Sequence, residues 1–207
     1  MSLSTQASTH DSEMTLNERF ETAKWKFIAA LFTLGLINNN GYVMVMAGAD
    51  LLAKGFGKEK LMPAFQLSLI LFSSLTRIIN SKWLIRMQHI TRIMMVAFCI
   101  FASFIIIAFC CFYDTVNSMF SVSLLASVIV GAGCALGESV ILGFLKTFPG
   151  NAIGYYGSGT GMAGITGALI FIALKPLGLS DGAIYMIAAP TAIPYFLCFY
   201  WLNKQKK

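Results

Sequence analysis

The chain has 207 residues, 57% of them hydrophobic and 12% charged, with a formal net charge of +6 and a mean hydropathy of +0.73. Soluble domains carry roughly 45–50% apolar and about 25% charged residues, so this chain lacks the polar surface a water-soluble fold would need. The basic residues lie in short connections and at the two ends rather than along one face, which excludes a nucleic-acid interface and fits a membrane topology.

In chain order, residues 1–26 are polar and predict a disordered cytosolic tail that ends in Arg19, Lys24, Trp25 and Lys26. Trp25 stands where an interfacial anchor would sit. The polar start predicts no cleavable signal peptide, leaving the first apolar block to direct insertion. Six apolar blocks follow, at about 27–49, 61–79, 93–113, 119–145, 157–174 and 183–202. Each has the length needed to cross roughly 30 Å of hydrocarbon as a helix. None shows the period-2 alternation of a barrel strand. The fold class is therefore an all-α polytopic membrane protein, with a six-helix bundle over 27–202 and a basic tail over 203–207. Eleven basic residues fall on the side of the two ends and four on the other, so positive-inside places both termini in the cytosol. Pro190 and Pro194 interrupt the sixth block and predict a bend there.

The polar residues inside these blocks are the candidates for chemistry. Glu138 lies in the middle of the fourth block, and an acid at that depth must face the bundle interior or a water-filled cavity. It is a candidate proton acceptor or counter-ion, with a structural hydrogen bond as the ordinary alternative. Asn38, Asn39 and Asn40 cover nearly a full helical turn beside Gly41 and Tyr42, so at least one amide points inward. Asn39 is the preferred inward residue, and the amides suit either helix packing or contact with a polar solute. Gln66 lies deep in the second block and could line a cavity. Arg77, nearer its end, is read as snorkelling to the interface, with pairing to an anionic substrate as the alternative.

The stretch Gly159-Thr160-Gly161-Met162-Ala163-Gly164 matches G-x-G-x-x-G, but a dinucleotide site needs a preceding strand, which is absent here. Close helix packing is expected instead from Gly131, Gly133 and Gly137 in the fourth block and from Gly157, Gly159, Gly161, Gly164 and Gly167 in the fifth. A further reading puts free N–H groups at the start of the fifth helix, with Ser158 and Thr160, around an anion. Tyr155, Tyr156, Tyr195, Tyr200 and Trp201 near block ends suit an interfacial belt. The five cysteines lie within apolar blocks as small hydrophobes, and no metal, cofactor or catalytic constellation is expected.

Three segments carry a family resemblance: LGLINNNGYVMVMAGA at 34–49, Gly137-Glu138 with the segment to Pro149, and YYGSGTGMAGITGA at 155–168. Their order and spacing resemble the N-terminal six-span half of the battenin family. That family's acidic residue and proline in the second span are replaced here by Leu69 and Phe72, although the basic residue is kept as Arg77. The resemblance implies half of a major facilitator-type transporter in the lysosomal or vacuolar membrane, completed by a homodimer or a second half. It also implies roles in luminal pH and in moving glycerophosphodiesters or basic amino acids such as arginine. The expected partners are the bilayer and a small polar solute, with proton coupling. A non-transporting scaffold or trafficking factor of the endosome–lysosome system is the alternative.

Overall fold

The computed structural model describes residues 15–113 and 117–206, and every regular element among them is a helix. Among the described residues nine α-helices follow in order: α1 Leu16–Thr22, α2 Lys24–Gly55, α3 Met62–Leu71, α4 Ser73–Lys82, α5 His89–Phe112, α6 Asn117–Leu145, α7 Ala152–Leu174, α8 Asp181–Ala188 and α9 Ala192–Lys206. They form six segments long and apolar enough to cross a membrane: Lys24–Gly55, Glu59–Lys82, His89–Phe112, Ser118–Leu145, Ala152–Leu177 and Asp181–Lys206. The second span is α3 with α4, and the sixth is α8 with α9.

The polar segment before the first apolar block departs from the expected disordered tail, whose first fourteen residues lie outside the described ones. From Thr15 onward the chain is helical. Thr15 caps α1, its Oγ1 accepting from the Glu18 N–H at 3.4 Å while its own N–H donates to the Glu18 carboxylate at 2.7 Å. This reciprocal arrangement satisfies two N–H groups that a helix start leaves free. Phe20 is buried, its ring 5.1 Å from that of Phe27. Arg19 donates to the Gln205 carbonyl at 3.1 Å, so the two described ends of the chain meet at one end of the bundle.

The order of helix contacts defines one face. The fifth span packs along the first, the first also meets the fourth, and the fourth packs on both halves of the second. The third and sixth spans stand behind this row, against the fourth and the first. Small residues set the closest approaches. A Cβ at Gly35 would collide with the Tyr156 carbonyl, and one at Gly159 with the Phe32 carbonyl, so the first and fifth helices cross backbone to backbone. At Gly131 a Cβ would strike the Leu69 carbonyl, bringing the fourth span onto the second. Gly133, Gly137 and Gly167 also meet neighbouring side chains. The expected packing role does not extend to Gly157, Gly161 and Gly164, which face outward with nothing within 4 Å of a built Cβ. The reason is phase: at 100° per residue they turn away from the Gly159–Ala163–Gly167 stripe that meets the first span.

Two spans are broken. The sixth changes to a 3-10 turn over Ala189–Thr191 at Pro190, as its prolines predict. The second breaks at Phe72 without proline or glycine. There the Ser73 hydroxyl donates to the Leu69 carbonyl at 2.9 Å, and the fourth span presses on that same carbonyl through Gly131. A hydroxyl bonding back into its own helix, with a neighbouring backbone against the ladder, is a recognised cause of a kink. We expect Gly159→Val to destabilise the bundle by about 1–3 kcal/mol or more through overpacking, whereas Gly143→Val, which meets open space, leaves thermal stability of the purified protein nearly unchanged.

Candidate functional site

The row of the fifth, first, fourth and second spans encloses a cavity of about 170 Å³, room for several waters or one small solute. Its walls are Asn38, Asn39 and Tyr42 from the first span, and Ser73 and Arg77 from the second. The fourth contributes Gly131, Cys134, Ala135 and Glu138, and the fifth contributes Tyr156 and Thr160. Six of the residues singled out in the sequence, Asn38, Asn39, Tyr42, Arg77, Glu138 and Thr160, therefore meet in one place.

Its charges form a pair. The Arg77 guanidinium donates through Nη2 to Glu138 Oε2 at 2.6 Å, joining the second span to the fourth. Arg77 thus does not act as a lone snorkelling residue, and Glu138 is not an isolated acid. A charge-assisted bond of this kind gives each group a partner of opposite charge at membrane depth. The side chains remain 55% and 36% exposed, so the pair faces the open side of the cavity and not the packed interior.

The amide triplet holds the floor. Asn38 is buried, donating to the Cys134 carbonyl at 3.1 Å and accepting from the Tyr195 hydroxyl at 2.9 Å. One side chain thereby locks the first, fourth and sixth spans together. Gly137 keeps this junction open, since a Cβ there would collide with Asn38 Oδ1 and lie 2.6 Å from the Tyr195 hydroxyl. Asn39 donates to the Thr160 carbonyl at 3.1 Å, and Asn40 accepts from the Thr166 hydroxyl at 3.5 Å. Asn39, the residue preferred as inward, lines the cavity as Asn38 does, while Asn40 lies outside its lining.

Two expected members fall elsewhere. Gln66 is half-buried in α3 and outside the cavity lining. Ser158 is exposed, its hydroxyl donating to the Gly154 carbonyl at 2.9 Å. The anion reading required a helix beginning near Gly157, but α7 begins at Ala152 behind an Asn151 cap that accepts from the Gly154 N–H at 3.2 Å. Ser158 and Thr160 are thus well inside the helix, where the backbone N–H groups are already used by the ladder.

Tyr156 and Tyr195, expected in an interfacial belt, are interior residues, 3% and 0% exposed. Tyr156 lines the cavity, its hydroxyl buried beside the Thr160 side chain. The signal available in the sequence was spacing, since Tyr156 precedes Thr160 by one helical turn and shares its face. A larger recess of about 570 Å³ lies between the third and sixth spans, lined by Gln88, His89, Ile90, Tyr200, Asn203 and Lys204. It has no carboxylate in its wall and no group from the first or fourth span.

Fold and site together define a multi-pass helical membrane protein with an ion-paired polar cavity walled by four of its spans. The model of the CLN3 protein family matches residues 29–207, and the chain belongs to that family, whose members include the battenins. It is 33% identical over 168 residues to a battenin of Dictyostelium discoideum, covering 81% of this chain and 39% of the relative. It is 28% identical over 173 residues to protein btn-1 of Neurospora crassa, covering 83% and 36%. With a battenin of Canis lupus familiaris it shares 26% over 183 residues, covering 76% and 40%. The chain thus spans about two fifths of the length of these relatives. No solved structure matches it.

Removing one partner of the Asn38 junction tests its weight. Tyr195→Phe strips the hydroxyl from a buried amide oxygen and is expected to cost about 1–3 kcal/mol, read as a fall in the thermal midpoint of the detergent-solubilised protein. For the ion pair, Glu138→Gln and Arg77→Gln each leave a lone charge at membrane depth. The double variant is expected to recover at least half of either single loss in the same measurement.

Proposed function

We propose that this chain is a transporter unit of the lysosomal or vacuolar membrane that binds a small polar solute between its first, second, fourth and fifth spans. The observation that carries the reading is the Arg77–Glu138 pair exposed to a cavity that also presents the Asn39 amide and the buried Tyr156 hydroxyl. A purely structural ion pair has no need of an open cavity beside it.

Such a pair recognises charge of both signs. A solute carboxylate or phosphate competes with Glu138 for the Arg77 guanidinium, and a solute ammonium or guanidinium competes with Arg77 for the Glu138 carboxylate. Glycerophosphodiesters suit the first contact and arginine the second, and both belong to the substrates that family membership suggests. Protonating Glu138 would remove one half of the bridge and free Arg77, which is how a proton gradient could be coupled to solute release and to luminal pH. Binding near mid-bundle beside a broken second span suits alternating access, and the arrangement suits one half of a major facilitator-type transporter.

The basic residues place both ends in the cytosol in this reading, and their meeting at one end of the bundle through Arg19 and Gln205 supports a common side. Uptake of radiolabelled arginine and of glycerophosphocholine into proteoliposomes, with and without an imposed pH gradient, tests the proposal. Glu138→Gln and Arg77→Gln are each expected to lower the rate at least roughly tenfold, the scale of losing one charge-assisted hydrogen bond to the solute. Gln66→Ala, outside the cavity, is expected to leave it unchanged. If both pair variants transport like the wild type, the Arg77–Glu138 pair is not the solute contact; if no solute moves with any variant, the non-transporting scaffold is the better account.

A further inference from the structure

The third and sixth spans stand behind the row that walls the solute cavity, and between their ends lies the recess of about 570 Å³. That volume is typical of a small-ligand site. Its wall comes from two helix ends. The start of α5 supplies Gln88, His89 and Ile90, and the last turns of α9 supply Tyr200, Asn203 and Lys204. These residues end membrane-spanning segments, so the recess lies at the depth of lipid headgroups.

The wall gathers donors and positive charge. Lys204 brings an ammonium, Gln88 and Asn203 bring amide N–H groups, and Tyr200 brings a hydroxyl. Gln88 gives α5 no side-chain cap. The first N–H groups of that helix, those of His89 and Ile90, have no partner in its ladder and present the positive end of its dipole. The charge behind the wall has the same sign. Arg92, one turn along α5 from His89, is 3% exposed and makes no ion pair among the described residues. Its Nη1 donates to the neutral Asn80 Oδ1 at 3.0 Å, and its buried Nε has no hydrogen bond. Lys206 and His89 flank one ring, 5.0 and 5.7 Å from the centroid of Phe144. The carboxylates of α1, which meets α9 at this end, are engaged: Glu18 by the Thr15 N–H at 2.7 Å and Glu21 by Lys24 at 3.5 Å.

Positive-inside accounts for basic residues at a membrane surface, such as the exposed Lys82 and Lys146. It does not account for amide, hydroxyl and free N–H donors gathered round one of them, nor for a cation drawn inside without a counter-charge. A buried arginine lacking a carboxylate is costly, and an anion held about one helical turn away offsets part of that cost. We propose that this recess binds a phosphomonoester. Lys204 and the first N–H groups of α5 hold the phosphate, and Gln88, Asn203 and Tyr200 meet the hydroxyls of the group that carries it. Basic pockets between membrane helices take up phosphorylated lipid headgroups, and a soluble phosphoester offers the same chemistry. The recess shares no wall with the solute cavity, so binding here does not rest on the transport reading.

Native mass spectrometry of the detergent-solubilised chain, titrated with short-chain lipids, tests the site. A phosphatidylinositol monophosphate is expected to bind at least roughly tenfold more tightly than phosphatidylinositol, which has the hydroxyls without the monoester. Lys204→Gln, at an exposed position, is expected to weaken that binding at least roughly tenfold, the scale of one charge-assisted hydrogen bond. Lys146→Gln, exposed at the same end of the bundle, is expected to leave it unchanged. The lipid's headgroup, freed of its acyl chains, distinguishes the two sources. Competition at the concentration of the lipid assigns the site to a soluble phosphoester, and failure to compete assigns it to the lipid; the site stands in both cases. Equal binding of the two lipids, or equal loss in the two lysine variants, marks diffuse attraction to surface charge and overturns the proposal. Wild-type binding by Lys204→Gln overturns it as well.

Discussion

An arginine and a glutamate held 2.6 Å apart within the membrane-spanning part of the chain are the constraint around which the rest is arranged. Neither charge tolerates lipid, and each needs the other or water. The second span must therefore lie against the fourth, and that contact is made possible by Gly131, where the absent Cβ lets the Leu69 carbonyl come close. The kink at Phe72 follows from the same contact, because the carbonyl pressed by the fourth span is also the acceptor for Ser73. Packing, helix geometry and the position of the charges are in this way one arrangement.

The first span performs a comparable task with neutral groups. Asn38 fixes it to the fourth and sixth spans, Asn39 and Asn40 fix it to the fifth, and Gly35 and Gly159 let the helices cross closely enough for those amides to reach. Interhelical hydrogen bonds and close packing are the forces available where no hydrophobic effect drives helices together. Three consecutive asparagines would be a poor choice in a helix surrounded by lipid. Here each finds a partner on a neighbouring span, and Asn39, the one left partly open, lines the cavity with Asn38.

Much of the site was legible because polar residues stand out in apolar blocks. Glu138, Arg77, Asn38, Asn39, Tyr42 and Thr160 were visible for that reason, and the structure brings them together. The residues misplaced share a different property. Ser158 and Gln66 are polar too, but which way they face depends on where a helix starts and how it is phased. An asparagine cap at 151 and a break at Phe72 are local events that composition does not reveal. Tyrosines near block ends have an ordinary interfacial explanation, so Tyr156 and Tyr195 passed as surface residues while the fold buries both.

By itself the sequence determined the class of protein: six apolar stretches of spanning length, a basic bias toward the two ends, and a few polar residues at depth. Those properties depend on transfer from water to hydrocarbon, which is additive along the chain and needs no knowledge of neighbours. Only the tertiary structure decided that Arg77 belongs to Glu138, that Gly159 packs while Gly157 and Gly161 do not, and that the polar segment from Thr15 continues as helix under Phe20. Those outcomes turn on helix phase and on which spans become neighbours. A one-residue step rotates a side chain by 100°, so proximity between distant segments is settled by packing and not by local pattern.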